Sequence, residues 1–226
     1  MTTVPLPSDT ELCILAIQHS TDKAPRSGHG YTPYYHELFK DRRDAKKILE
    51  IGIDVGASLR MWRDYFPQGQ IFGVDGSSAN VRNLGRRITT VKGNQYDLAE
   101  MSKIVAKLGP FDVVIDDGAH TGRASLNTFL AFFPAVAPGG LYVIEDWGTG
   151  YWAHWPDGSE IKNGGNFTFS GKKFPSHQSG MVGFVKQLVD VCNMLDRTRG
   201  QECSQINSME ILPGMVLLRK RTEAKV

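Results

Sequence analysis

Cysteine is scarce in this chain. Its three residues, Cys13, Cys192 and Cys203, are odd in number and show no CxxC spacing. A disulfide framework or structural zinc site is therefore not expected, and a reducing cytosol fits. Neither sign of charge prevails, with 26 basic against 24 acidic side chains and a net charge of +2. The basic residues form no stripe or block, which argues against a nucleic-acid partner. Long apolar runs are missing too. The longest, residues 129–137, contains Pro134 and is too short to span a bilayer. Asp9 and Glu11 precede the apolar stretch Leu12 to Ile17, with no basic region before it, so a secretory leader is not expected. No internal repeat or low-complexity tract is present. A dinucleotide fingerprint, GxGxxG, is absent as well.

What remains is a 226-residue chain, 41% hydrophobic and 22% charged, the size and composition of one globular unit with a sizeable core. From about residue 46 onward, short β-branched runs alternate with amphipathic stretches. Strands are expected at 47–51, 70–75, 88–92, 111–116 and 140–145. Helices are expected from Ser58 to about Tyr65, from Ser77 or Ser78 towards Arg87, over 98–108, over 125–133 and over 183–197. Residues 206–212 and 215–221 read as two strands joined at Pro213-Gly214. Such alternation specifies an α/β protein with a mostly parallel sheet covered on both faces, ending in a hairpin. Residues 147–176 break the pattern. They are rich in glycine and aromatic groups, and long enough to be expected to serve function.

Three groups of residues carry chemistry. The first is Glu50-Ile-Gly52-Ile-Asp54-Val-Gly56-Ala-Ser58, where strand one turns into a helix. Glycines at such a turn let the backbone approach a ligand, and the helix N-terminus offers free N–H groups. The second is Asp75 at the end of strand two, placed to accept hydrogen bonds from ribose hydroxyls. Gly52 and Gly56 could equally shape a plain turn, and Asp75 could cap a helix; the combination points to a nucleoside. Asp54 stands where a pyrophosphate would lie, and like charges repel, so S-adenosylmethionine is favoured over NAD. A nicotinamide oxidoreductase and a non-catalytic nucleoside-binding module remain the alternatives.

The third group is Asp116-Asp117-Gly-Ala-His120 after strand four and Glu145-Asp146 after strand five. In a doubly wound sheet the carboxyl ends of the strands meet at one crevice, which gathers four carboxylates and an imidazole. That clustering is costly without a cation. Hard oxygen ligands suit Mg²⁺ or a similar divalent ion. Helix capping and a solvated loop are the plainer roles for the same carboxylates.

With these residues stands a resemblance. The chain resembles class I S-adenosylmethionine-dependent methyltransferases, and in particular the metal-dependent sugar O-methyltransferases of macrolide and polyketide glycoside biosynthesis. It runs through Ser20-Thr-Asp-Lys23, His29-Gly-Tyr31, Leu49-Glu-Ile-Gly52, Gly56-Ala-Ser-Leu-Arg-Met-Trp62, Asp116-Asp-Gly-Ala-His120, Gly139-Gly-Leu-Tyr-Val-Ile-Glu-Asp146 and Tyr151-Trp152. A clade named for cephalosporin hydroxylation shares the glycine loop and carboxylates. The resemblance implies a Rossmann-like seven-stranded sheet with an antiparallel C-terminal hairpin. Residues 1–45 would be a helical cover segment and 46–226 the methyltransferase domain. Larger members carry an additional N-terminal domain, so a surface or contact made by that domain is expected to be missing here.

Residue by residue, the resemblance implies Asp117, Glu145 and Asp146 as metal ligands and His120 as general base. Asp75 would bind the donor's ribose, Gln95 and Tyr96 would border its adenine, and Asp116 would help hold its amine. Glu50, Gly52, Gly56 and Ser58 complete the donor site. Tyr151 and Trp152, with Trp147 and Trp155, form either an acceptor lid or packing for their own loop. The segment of His19, Asp22, Lys23 and His29 either covers the donor or simply docks. Arg86-Arg87 and residues 219–221 read as solvated ends. The expected reaction is metal-assisted O-methylation in the cytoplasm, with a small hydroxylated acceptor such as a glycoside. Neither a nucleic-acid nor a membrane partner is expected; the oligomeric state is not legible in the residues, and the resemblance implies only the family's tendency to assemble, a possible homo-oligomer.

Overall fold

In a computed structural model, residues 8–77, 84–159, 165–193, 195–196, 201–202 and 205–222 are described. Two helices come first, α1 (Glu11–His19) and α2 (Thr32–Phe39). The alternating part follows: β1 (Lys47–Ile51), α3 (Ala57–Tyr65), β2 (Gln70–Asp75), β3 (Ile88–Lys92), α4 (Leu98–Leu108), β4 (Phe111–Asp116), α5 (Gly122–Phe132) and β5 (Val136–Glu145). Beyond a 3₁₀ turn at Trp147–Tyr151 lie α6 (Pro156–Ser159) and a small hairpin, β6 (Gly165–Phe169) with β7 (Lys172–Ser176). The chain ends with α7 (Gly180–Asn193), a two-residue pair β8 (Leu195–Asp196) and β9 (Gln201–Glu202), then β10 (Ile206–Leu212) and β11 (Met215–Lys220).

Seven strands form one sheet in the order β10-β11-β5-β4-β1-β2-β3. The first five strands pair in parallel, while β11 runs antiparallel to both β5 and β10. The seven-stranded α/β sheet with its antiparallel hairpin is therefore as expected from the sequence. Central strands are apolar on both faces because helices cover both. Alternation along each strand divides the core. Ile48, Val113, Leu141 and Val143 face α1, α2 and α3, against Tyr35, Phe39, Trp62 and Phe66. Their neighbours Leu49, Val114, Tyr142 and Ile144 face α4, α5 and α7, against Met101, Ile104, Phe132 and Leu188. Between β1 and β4 the chain reverses its direction of travel across the sheet, and a crevice opens there.

Several boundaries move. α5 begins three residues earlier than the apolar spacing indicates, at Gly122, and β5 begins at Val136. The helix expected towards Arg87 falls largely on residues 78–83, outside the described residues, and its end at 84–87 is a turn. Gly85 and Arg87 take positive φ there. Arg87 is no solvated end: its guanidinium donates to the carbonyls of Arg63, Phe66 and Gly69 at 2.7–2.8 Å. Cys203 lies outside the described residues.

Asp157, in α6, ties its part of the chain to two helices. One oxygen, Oδ2, accepts from the backbone N–H of Gly122 and of Met181, each at 2.6 Å, and so caps the first turns of α5 and α7 together. Asp157→Ala should lower stability by about 1–2 kcal/mol. In calorimetric melting this reads as a fall of about 2–8 °C in Tm. An unchanged Tm would show that the double cap contributes nothing.

Candidate active site

The crevice is built where β1, β4 and β5 end. Gly52 follows β1 with φ +84°. A Cβ at this position would lie 1.9 Å from the carbonyl oxygen of Asp117, so glycine is required on both counts. Asp117 N–H donates to Ile51 O at 2.9 Å and ties the turn after β4 to β1, while Gly52 N–H donates to Val74 O at 2.8 Å and ties the turn after β1 to β2. Gly56, also left-handed, begins α3 and turns Ser58 into the crevice.

Two adjoining cavities occupy the crevice, of about 230 Å³ and 500 Å³. Gly52, Asp75 and Gly118 border both. Tyr96, Gln95 and Asn94 wall the smaller, while Asp54, Ser58, Asp117 and His120 wall the larger. Ser20, Thr21 and Asp22 close the larger cavity from the N-terminal side.

Asp75 Oδ2 accepts from Ile53 N–H at 3.0 Å, and Oδ1 from the N–H and hydroxyl of Ser77 at 2.7 and 2.8 Å. Burial pushes its carboxyl up, but these donors together prevail and hold it below the usual range. Gln95 is buried, and its amide is spent on the loop after β4. It donates to Asp116 Oδ1 at 2.7 Å and to Thr128 at 2.9 Å, and accepts from Ala119 N–H at 2.7 Å. Asp116 is buried behind this amide, where burial raises it to about 6. Neither cavity is bordered by Asp116. Glu50 is likewise fully buried, bound to Ser58 Oγ at 2.6 Å and pushed up by burial to about 7. Tyr96 stands at the surface, its hydroxyl 3.0 Å from that of Thr121.

Charge is concentrated at the far side of the larger cavity. Asp117, His120 and Asp146 each offer one atom within 4.8 Å of the others. His120 Nε2 lies 3.8 Å from Asp117 Oδ1 and 3.7 Å from Asp146 Oδ2. His120 and Asp146 both hold left-handed backbones, φ 49° and 54°, as does Asp54 at 39°. Strain of this kind, gathered around one site, is characteristic of functional sites.

The residues that complete the cluster come from before β1, and composition does not single them out. Lys23, 1% exposed, places its ammonium 2.5 Å from Asp117 Oδ2, 2.8 Å from Glu145 Oε2 and 3.3 Å from Glu50 Oε1. Burial alone would lower this ammonium, but the three carboxylates outweigh it and hold it well above its ordinary value. Tyr35 donates to Glu145 Oε1 at 2.5 Å, Tyr31 donates to Asp146 Oδ1, and His29 Nδ1 lies 3.4 Å from the same oxygen. The signal available in the sequence was the run Ser20-Thr-Asp-Lys23 with His29-Gly-Tyr31, a basic and aromatic set far from the carboxylates in the chain but next to them in the fold.

Glu145, one residue before Asp146, is buried, and both of its oxygens already accept hydrogen bonds. Each carboxylate oxygen has a second acceptor direction, so Glu145 can still serve a cation. Burial, with Asp117 close by, pushes its carboxyl up; burial also raises Asp117, against the opposing pull of Lys23 and His120. One ammonium does not balance four carboxylates, and a divalent cation fits the remaining negative charge and the hard oxygen set.

Of the aromatic loop, Trp155 is the ring that reaches His120 among the described residues, at 5.9 Å between centroids. Trp152 is 45% exposed and stacks on His154 at 5.7 Å. Tyr151 turns its ring edge to His177 at 5.2 Å.

Comparisons agree with this architecture. Residues 49–147 match the family described as "Methyltransferase domain". The chain is 40% identical over 172 residues to the mycinamicin VI 2''-O-methyltransferase of Micromonospora griseorubida, covering 72% of this chain and 39% of that protein. It is 42% identical over 145 residues to an 8-demethyl-8-(2-methoxy-alpha-L-rhamnosyl)-tetracenomycin-C 3'-O-methyltransferase of Streptomyces olivaceus, covering 61% and 37%. Among solved structures, MycE methyltransferase from the mycinamycin biosynthetic pathway, in complex with Mg, SAH and mycinamycin VI, superposes with a TM-score of 0.76 at 32% identity. That match covers 96% of this chain and 56% of the other. The chain spans less than half the length of these curated relatives. Residues 49–147 thus match the methyltransferase-domain family, and the chain carries the class I S-adenosylmethionine-dependent methyltransferase fold.

Proposed function

We propose that the protein transfers a methyl group from S-adenosylmethionine to a hydroxyl of a sugar, carried on a glycosylated natural product. One observation carries this reading: a two-part cleft at the switch point of the sheet is walled by Asp117 and His120, and Asp146 stands beside them, one atom of each within 4.8 Å of the others. The relatives' names, sugar O-methyltransferases acting on macrolide and polyketide glycosides, support the acceptor class. Residues 46–226 form the transferase, with residues 1–45 as its cover.

The donor's adenine lies in the smaller cavity beside Tyr96, where Gln95 shapes the wall. Its ribose meets Asp75, and its methionine end extends past Gly52, Gly56 and Ser58. Asp54 belongs to this wall, where a carboxylate suits an amine and a sulfonium and would repel a pyrophosphate. Glu50 and Asp116 act from behind, the first through Ser58 and the second through Gln95.

Asp117, Glu145 and Asp146 hold a divalent cation such as Mg²⁺. When bound, such an ion lowers the pKa of an acceptor hydroxyl. His120 takes that hydroxyl's proton at Nε2, which lies 3.8 Å from Asp117 Oδ1 and 3.7 Å from Asp146 Oδ2. The acceptor oxygen attacks the sulfonium methyl, and the carbon–sulfur electron pair leaves on sulfur. Trp155 keeps water from one side of His120, and Trp152 offers an exposed ring for an apolar sugar face. Holding donor and acceptor in line contributes much of the remaining rate.

Calorimetric titration with S-adenosylhomocysteine is expected to show micromolar binding. No binding at high ligand concentration would overturn the methyltransferase reading. Asp75→Ala should weaken that binding by about tenfold or more, since it removes both a ribose acceptor and the anchor of the Ile53 and Ser77 N–H groups. His120→Ala should lower turnover of a glycoside acceptor by about 100-fold or more, with homocysteine-product binding kept within about twofold. Full activity in that variant would remove the base from His120. A chelator should abolish turnover and added Mg²⁺ restore it; turnover that persists would exclude the metal.

A further inference from the structure

The N-terminal segment does more than close the donor cavity. Residues 21–32 fold on themselves through His29 N–H to Asp22 O, Gly30 N–H to Ala24 O and Thr32 N–H to Lys23 O. Gly28 lies so close to Asp22 that a Cβ there would meet its carbonyl oxygen at 1.6 Å. This compact turn and the helix α2 that follows it deliver three donors to the carboxylates, and each donor takes defined oxygens. Lys23 takes Asp117 Oδ2 and Glu145 Oε2, Tyr35 takes Glu145 Oε1, and Tyr31 takes Asp146 Oδ1. The oxygens left over, Asp117 Oδ1 and Asp146 Oδ2, are the two that face His120.

We propose that Lys23 is a positioning residue. Its buried ammonium takes Asp117 Oδ2 and so turns Oδ1 into the cleft, it holds Glu145 beside that carboxylate, and it makes the site depend on the docked N-terminal segment. This inference rests on the metal-assisted reading above. An ammonium carries three protons, and three carboxylate oxygens surround this one at 2.5, 2.8 and 3.3 Å. The planar guanidinium of arginine cannot serve three oxygens converging on one point.

The sign of one measurement separates positioning from mere proximity. An ammonium that was only a nearby charge would repel a divalent cation, so removing it would tighten cation binding. A positioning ammonium acts in the opposite direction, because its loss frees Asp117 and Glu145 to turn away. The test uses the full chain saturated with S-adenosylhomocysteine, titrated with Mn²⁺ and followed by electron paramagnetic resonance, with thermal melting to confirm folding. Lys23→Met, which keeps the length and removes the charge, should weaken Mn²⁺ binding by at least about tenfold. Unchanged or tighter Mn²⁺ binding overturns the proposal. If Lys23→Met does not fold, Lys23→Arg is read by the same titration; at least tenfold weakening supports positioning, and wild-type affinity overturns it. A wild-type chain that binds no Mn²⁺ overturns the metal-assisted reading, and this inference with it. Normal wild-type binding with an undiminished variant overturns the role of Lys23 alone.

Discussion

Glu50, Asp117 and Glu145 direct carboxylates at one buried point, and Lys23 is the ammonium that meets them there. Without it the cost of holding these groups out of water would fall on the strand ends themselves, because an unpaired buried charge destabilises by several kcal/mol. The contact also joins parts of the chain that are remote in sequence: Lys23 is 94 residues from Asp117 and 122 from Glu145. Segment, sheet and cleft are therefore one electrostatic unit. The carboxylates pair with the segment's Lys23, and the segment's Ser20, Thr21 and Asp22 border the larger cavity.

Backbone geometry at the strand ends serves the same unit. Gly52 lets β1 pass within contact of the Asp117 carbonyl, which draws the two turns together at the switch point. Asp54, His120 and Asp146 take left-handed conformations that ordinary residues avoid, and all three border or face the larger cavity. Such strain persists because the sheet and the surrounding hydrogen bonds over-determine it. The Gln95 amide shows how: one side chain fixes Asp116, Ala119 and Thr128 at once.

Local pattern made much of this legible. Strands at 47–51, 70–75, 88–92 and 111–116 stand where the sequence placed them. For the central strands 47–51 and 111–116 this is because burial on both faces leaves an apolar run, while the edge strand 88–92 was marked by its β-branched residues. Helix starts were less legible: α5 begins at Gly122, ahead of its apolar spacing, because Asp157, 35 residues away, caps it. The stretch 147–176 read only as a break in the alternation, expected to serve function; its described residues contain a 3₁₀ turn, a short helix and a hairpin. Its order depends on contacts with α5 and α7 that no local window contains.

By itself, the sequence determined which chemistry-bearing groups sit at strand ends, because the period of a strand and the direction of a parallel sheet send Asp75, Asp117, Glu145 and Asp146 to the same edge. Tertiary structure alone decided what each of them faces. Glu50 and Asp116 were drawn inward, and Asp117 and Asp146 were left with one oxygen each for the cleft. Lys23, Tyr31 and Tyr35 entered the site from a segment whose own sequence gives no period to read. The physical reason is that electrostatic pairing acts through space between groups a hundred residues apart, whereas hydrophobic periodicity is written into a few consecutive positions.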